Sequence, residues 1–213
     1  MMLKLVNSQD TCFHFSTQGL SFMSRLIAFI FFCWLVIPAE TCSAQPPNFI
    51  VIFCDDLGYG DIGCFGSEKH RTPHIDQLAA EGMKLTSFYS TSGVCTPSRS
   101  SLMTGCYPRR VNMHESARGE WVLFPVARKG LHPKEQTIAD VLKTKGYSTA
   151  CIGKWHLGDQ KPFLPTEQGF DHYFGIPYSN DMGSRQRQQN PPLPLLNNKT
   201  VIEAPVDQTT VTK

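Results

Sequence analysis

Apolar residues along this chain fall into unbroken runs and helically spaced stripes, and the two patterns predict different elements. From Asn48 the sequence reads N-F-I-V-I-F-C and then meets Asp55-Asp56 and the glycine turn Leu57-Gly58-Tyr59-Gly60-Asp61. A continuous β-branched run that ends in such a turn predicts a strand buried on both faces of a parallel sheet. Tyr147 to Gly153 (Y-S-T-A-C-I-G) repeats the pattern and delivers Lys154-Trp155-His156-Leu157-Gly158. Both strands place titratable residues at their C-terminal ends, the edge where ligands bind in open α/β sheets.

Spaced patterns lie between and around these runs. Thr72-Pro73 opens a helix with Ile75, Leu78 and Ala79 on one face and Gly82 as its stop; threonine suits the N-cap and proline the first helical position. Thr96-Pro97 opens a second, carrying Leu102 and Met103 and closing at Gly105. A third is predicted from about Pro133 to Lys145, with Ile138, Val141 and Leu142 aligned and Gly146 after it. Strands and helices in this order predict an α/β domain. Beyond Gly183 the chain turns polar and proline-rich, from Arg185 to Pro194, before one short apolar run at Val201-Ile202, and no internal repeat is present.

One further apolar run changes the picture of the N-terminus. Arg25 precedes an uninterrupted stretch from Leu26 to Ile37, followed by Pro38 and the small residues Cys42-Ser43-Ala44. The stretch is too short to span a bilayer and suits the core of a secretory signal peptide cleaved after Ala44. On this reading Met1 to Phe22 is an upstream lead, 1–44 is removed, 45–213 is the functional portion, and the protein is secreted or periplasmic. Five cysteines then remain, Cys54, Cys64, Cys95, Cys106 and Cys151. An odd number in an exported chain sets at least one thiol aside from disulfide pairing.

With 41% hydrophobic and 18% charged residues, disordered, collagenous and multi-span membrane classes are excluded. Lys+Arg 20 against Asp+Glu 18 gives a net charge of +2 with no basic run, so nucleic acid is not an expected partner.

Candidate chemistry centres on Cys95, in S-G-V-C-T-P-S-R. It stands directly before a predicted helix, where free backbone amides stabilise anions and lower a thiol's pKa. Arg99 lies in the first turn and can fold back toward it as a two-pronged oxyanion binder. A buried structural cysteine beside a surface arginine is the other reading of these residues taken alone. Likewise Lys154 and His156, outside any motif, read as a solvated lysine and a core histidine.

The motif context decides between these readings. Cys95, Pro97, Ser98, Arg99, Thr104 and Gly105 fit C-x-P-S-R-x-x-x-x-T-G at every fixed position, G-K-W-H-L-G runs from Gly153 to Gly158, and an aspartate pair follows the first apolar strand. In this the chain resembles the type I sulfatases, arylsulfatase-like members of the alkaline-phosphatase-like α/β superfamily, from about Pro47 through Gly183 and onward to Lys213. The resemblance implies an alkaline-phosphatase-like α/β fold, with a mixed or parallel sheet flanked by helices and incomplete at the C-terminus. It also implies a sulfuric-ester hydrolase acting on a sulfated small molecule or glycan. Cys95 would be oxidised by a formylglycine-generating enzyme to formylglycine, whose hydrate offers one hydroxyl to attack sulfur and a second to expel sulfate. Arg99 and Lys154 would hold the formylglycine and the sulfate charge, and His156 would act as a base in elimination, a role suited to its near-neutral pKa. Ser179, in G-I-P-Y-S, matches a substrate-contacting position. Asp55, Asp56 and the modified Cys95 would supply part of a Ca²⁺ site, which needs about six to eight oxygens. Full-length members add a later Asp-Asn pair and a downstream histidine and lysine. Asn180-Asp181 has the reverse order and is a poor substitute, so this sequence reads as a truncated frame or gene fragment with little activity by itself. Two further readings accompany the first: a phosphonate or phosphodiester hydrolase of the same superfamily, and a non-catalytic remnant.

Overall fold

The computed structural model describes residues 46–207 and 209, so the predicted leader over 1–44 lies outside the described residues. The chain divides into two units, Met1–Ile52 and Phe53–Lys213. In the first, residues 46–52 form no strand, and Ile50 and Ile52 are 87% and 77% exposed. The doubly buried strand predicted from Asn48 is therefore not formed. A strand of that kind draws its stability from ladders and covering layers rather than from propensity, and residues 46–52 join no ladder.

Among the described residues the second unit holds three α-helices and one sheet. Helix α1 spans Pro73–Glu81, α2 spans Cys95–Thr104 and α3 spans Ile138–Lys143; strands β1 (Ala150–Ile152), β2 (His172–Gly175), β3 (Leu195–Asn197) and β4 (Thr200–Glu203) follow, with single 3₁₀ turns between. The sheet order is β1-β2-β3-β4. β1 and β2 are parallel, with Cys151 opposite Tyr173, whereas β2/β3 and β3/β4 are antiparallel. The expected α/β architecture with a mixed sheet and flanking helices is thus present.

Local chemistry explains where the helices start. α2 begins at Cys95 with Val94 as its N-cap, so the cysteine is the first helical residue rather than the one before the helix. Pro97 sits inside the first turn, where its missing N–H costs nothing, and the first intrahelical bond runs from Ser98 N to Val94 O (3.3 Å). Gly105, at φ 66, ends the helix in the left-handed region. α3 is shorter than predicted because Thr137 and Asp140 form a capping box: Asp140 N donates to Thr137 Oγ1 (3.2 Å) and Thr137 N to Asp140 Oδ2 (2.9 Å). Thr72 precedes α1 as predicted, but its hydroxyl accepts from Gly63 N (2.8 Å) and does not cap the helix. The apolar stripes of α1 and α3 are largely open, with Ile75, Leu78, Ile138 and Val141 all exposed and only Ala139 of α3 buried. β1 departs from prediction as well: it is the edge strand, three residues long, with Cys151 turned inward and Ile152 80% exposed.

The core gathers instead around the loops. Val111, Met113, Leu123, Leu131, Trp155, Leu157, Leu164, Tyr173 and Leu196 form one buried cluster, and Tyr178, Met182, Leu193, Leu195 and Val206 a second. Trp155 and Leu157 therefore anchor the segment that carries Lys154 and His156. That segment continues the parallel pairing past β1: Gly153 N donates to Phe174 O (2.9 Å), Trp155 N to Ile176 O (3.0 Å) and His156 N to Pro177 O (3.1 Å). At this crossing Gly175 lies so close to Gly153 that a Cβ on Gly175 would strike the Gly153 carbonyl oxygen.

Gly175→Ala is accordingly expected to destabilise the fold by about 1–3 kcal/mol through overpacking. Gly60→Ala, with nothing within 4 Å of the added carbon, should stay within about 0.5 kcal/mol of the parent. Urea unfolding of the two variants checks the contrast; equal midpoints would refute it.

Candidate active site

Four segments far apart in sequence meet at the start of α2. Cys95 and Arg99 are four residues apart on that helix and share a face. Arg99 extends its guanidinium across the gap, donating from Nη1 to Lys154 O (2.6 Å) and from Nη2 to Asp55 Oδ1 (2.7 Å), with its carbon 5.4 Å from the Phe53 ring centroid. The ammonium of Lys154 pairs with the other carboxylate oxygen, Asp55 Oδ2, and lies 3.5 Å from the Ser179 hydroxyl. Asp55, Arg99, Lys154 and Ser179 are thus brought together, with Arg99 one helical turn from Cys95.

Two cations on one carboxylate set the electrostatics. Partial burial works against the Asp55 charge, but hydrogen bonds and Coulombic attraction from Lys154 and Arg99 outweigh it and hold its pKa below the ordinary value. Behind the triad, burial pushes the Cys151 thiol up to about 11 despite the nearby Arg99. It remains a protonated core thiol at neutral pH. None of the five described cysteines is in a disulfide.

His156 is 1% exposed and sits at φ 60. Its Nε2 lies 2.8 Å from the Leu123 carbonyl, an acceptor only, so Nε2 carries the hydrogen and Nδ1 the lone pair. Nδ1 is buried without a hydrogen-bond partner among the described residues. Burial, reinforced by Lys154 and Arg99, overrides the Leu123 hydrogen bond and the Asp55 charge to lower the ring's pKa from 6.5 to about 4. The ring is therefore neutral near pH 7, with one nitrogen able to accept a proton.

Sequence reading places Thr96 only as a helix opener; the structure puts it inside the first turn and gives its side chain a central place. The side chain is 1% exposed; its hydroxyl donates to His156 O (3.1 Å) and accepts from Leu123 N (3.1 Å). With the His156 Nε2–Leu123 O contact, three residues close a ring that fixes the imidazole. Thr96 occupies the unspecified position of C-x-P-S-R, and no periodicity flags it.

The aspartate pair separates. Asp55 joins the cations, while Asp56 takes a left-handed conformation (φ 57) and is exposed. The turn after it is held by Asp61, whose Oδ2 accepts from Gly58 N (2.8 Å). Asn180 and Asp181 lie in the turn Asn180–Met182. Among the described residues no group of three His, Cys, Asp or Glu side chains is placed to hold a metal ion. The donor set does not fit calcium: both Asp55 oxygens are taken by cations, and two carboxylates provide about four oxygens of the six to eight required. The positive charge available to an oxyanion in these residues comes from Arg99 and Lys154.

Two outcomes follow from the histidine's surroundings. Thr96→Val leaves the His156 carbonyl and the Leu123 N–H buried without partners and should cost about 1–3 kcal/mol, with Thr96→Ser recovering most of it; thermal unfolding of the pair measures this. Because the folded ring resists protonation, stability is fully present above pH 6.5 and is lost as pH falls toward 4. The loss is roughly 3 kcal/mol. Denaturation at stepped pH should show this slope, and His156→Gln should flatten it between those limits.

Comparison with known proteins gives this arrangement a context. The family model described as Sulfatase matches residues 47–211. Arylsulfatase A of Homo sapiens is 48% identical over 154 residues, covering 71% of this chain and 29% of the relative, and arylsulfatase G of Canis lupus familiaris is 40% identical over 178 residues, covering 83% and 31%. The chain thus spans less than a third of the length of these curated relatives. Among solved structures, Ps i-CgsB superposes with a TM-score of 0.63 at 32% identity, covering 74% of this chain and 37% of that one; it has also been solved in complex with k-i-k-neocarrahexaose. The mixed sheet and its flanking helices match the alkaline-phosphatase-like fold of these neighbours, and with the family model covering most of the chain the conclusion is direct: this chain belongs to the sulfatase family.

Proposed function

We propose that this chain carries the nucleophile and the sulfate-binding cations of a sulfuric-ester hydrolase. The observation that carries the reading is the convergence of Arg99 and Lys154 on Asp55, with Arg99 one turn along from Cys95 at the first residue of a ten-residue helix. Cys95 is partly exposed and its thiol is free, as a maturation enzyme recognising the intact Cys95–Arg99 stretch requires. Oxidation to formylglycine would supply there a hydrated aldehyde, with one hydroxyl for attack on sulfur and another for release of sulfate.

The chain's own residues do the rest. Arg99 offers a planar donor fork and Lys154 a compact positive charge, and together they neutralise the oxygens of a bound sulfate. Asp55 orients both cations and offsets part of their charge, so they remain fixed in place when no substrate is bound. Ser179 lies within reach of Lys154 Nζ and can present its hydroxyl to the same anion. His156, neutral and buried, is held by Leu123 and Thr96 and fixes the backbone two residues from Lys154. Relatives named for aryl sulfates and a neighbour solved with an oligosaccharide support a sulfated small molecule or glycan as substrate. The apolar stretch Leu26–Ile37 supports export through the secretory route.

Coexpression with a formylglycine-generating enzyme should convert Cys95 to the aldehyde, detected by peptide mass spectrometry. Inorganic sulfate should raise the melting temperature of the modified chain, and Arg99→Ala and Lys154→Ala should each abolish that rise. Turnover of an aryl sulfate should be lost in Cys95→Ala, by at least about 10²-fold. An unmodified thiol in a host that matures a control sulfatase, or a preference for an aryl phosphodiester, would overturn the reading.

A further inference from the structure

Groups that bind sulfate are common to every sulfate ester, so discrimination among esters falls to whatever meets the group bonded to sulfate. Arg99, Lys154, Asp55 and Ser179 are charged or polar and offer that group no apolar face. Trp121 does offer one, and it is 75% exposed. The other described tryptophan shows how this chain treats an indole used for packing: Trp155 is buried, donates from Nε1 to Phe163 O (2.8 Å) and meets the Phe170 ring edge-on at 6.1 Å. An indole left in water forfeits the burial for which the residue is otherwise suited.

The backbone on both sides of Trp121 is fixed. Before it, Ser116 closes the loop 116–120: its N donates to Glu120 O (2.7 Å), and its hydroxyl donates to Glu120 Oε2 (2.7 Å) and accepts from Arg118 N and Glu120 N (both 3.1 Å). After it, Leu123 is tied to the site at two points, from its N to Thr96 Oγ1 (3.1 Å) and at its O by His156 Nε2 (2.8 Å). Thr96 adjoins Cys95, and His156 lies two residues from Lys154. Val122 packs against the cluster that contains Tyr178, the neighbour of Ser179. Two residues of chain span at most about 7 Å, so Trp121 stands at the border of the site, on a rigid base and with its side chain open.

We infer that Trp121 is a specificity-determining residue, whose indole stacks on the ring, aryl or sugar, that carries the sulfate group. An aryl ring would present its π-face to the indole and a pyranose its C–H face, and both are flat and apolar. Only two side-chain torsions need be fixed in the tryptophan, so the ordering cost is small. The inference rests on the sulfate-binding role proposed for Arg99 and Lys154 and adds to it the part of the substrate that those cations cannot distinguish.

The full chain is made without a formylglycine-generating enzyme, so that esters bind without turnover, and calorimetry gives its affinities for phenyl sulfate, glucose 6-sulfate and methyl sulfate. Methyl sulfate carries the same anion and no ring. Trp121→Ala should weaken a ring ester about 3–10-fold and leave methyl sulfate and the unfolding midpoint unchanged, while Trp121→Phe keeps most of the affinity. A loss for phenyl sulfate alone assigns an aryl leaving group, and a loss for glucose 6-sulfate alone a sugar. Tyr107 is as exposed as Trp121 but lies beyond the far end of α2, a helix about 15 Å long; Tyr107→Ala should alter none of these affinities. Ring esters bound equally well by Trp121→Ala would overturn the inference, and so would an equal loss for methyl sulfate, which would mark a structural role. Methyl sulfate that fails to bind the parent chain, or binds as well after Arg99→Ala, would refute the proposed sulfate site and the inference with it.

Discussion

A single carboxylate between two cations organises this molecule. Asp55 enters from the residues after the first apolar run, Arg99 from the first turns of α2 and Lys154 from the segment that follows β1, and no local element would otherwise hold these three together. The arrangement is asymmetric: the Arg99 and Lys154 side chains are 12% and 13% exposed and Asp55 43%. Two largely buried cations without a counter-charge would repel each other and carry a desolvation penalty. The Asp55 carboxylate offsets both and holds the ammonium and guanidinium groups on one anion.

The segment Gly153–Gly158 turns this electrostatic arrangement into a rigid one. Its odd members, Trp155 and Leu157, are core side chains, and Trp155 also donates from Nε1 to Phe163 O (2.8 Å). The even members, Lys154 and His156, take the polar roles. Left-handed conformations at Gly153, His156 and Gly158 (φ 104, 60 and 119) bend the chain so that alternation continues where the strand has ended. A non-glycine residue at φ 60 is strained unless its surroundings hold it. His156 is held from both sides, by Leu123 at the ring and by Thr96 at the carbonyl.

Much of this was legible in the sequence because it is local. Glycine at a left-handed helix end, proline in a first turn and apolar residues ahead of a glycine turn are properties of a few adjacent residues, and α1, α2 and β1 lie where these signals place them. The discrepancies have a common physical origin. Asn48–Cys54, the stripe on α1 and the stripe on α3 all announce burial, yet what covers an apolar face is never encoded in the face itself. Thr96 was legible only as a helix opener, for the complementary reason: its hydroxyl bridges residues 27 and 60 positions away, and no spacing rule reaches that far.

By itself the sequence determined which residues are chemically privileged: a cysteine followed at helical spacing by an arginine, and a lysine and a histidine on alternate positions of a glycine-bounded segment. Covalent order is enough for that, since helical and strand periodicities are properties of the backbone. Only the tertiary structure decided that Asp55 serves as counter-ion to Arg99 and Lys154 while its neighbour Asp56 stays exposed in a left-handed conformation. The same holds for the choice of Nε2 over Nδ1 as the protonated nitrogen of His156. Both outcomes depend on which groups lie within about 3 Å, because charge pairing and hydrogen bonding fall away steeply beyond that distance.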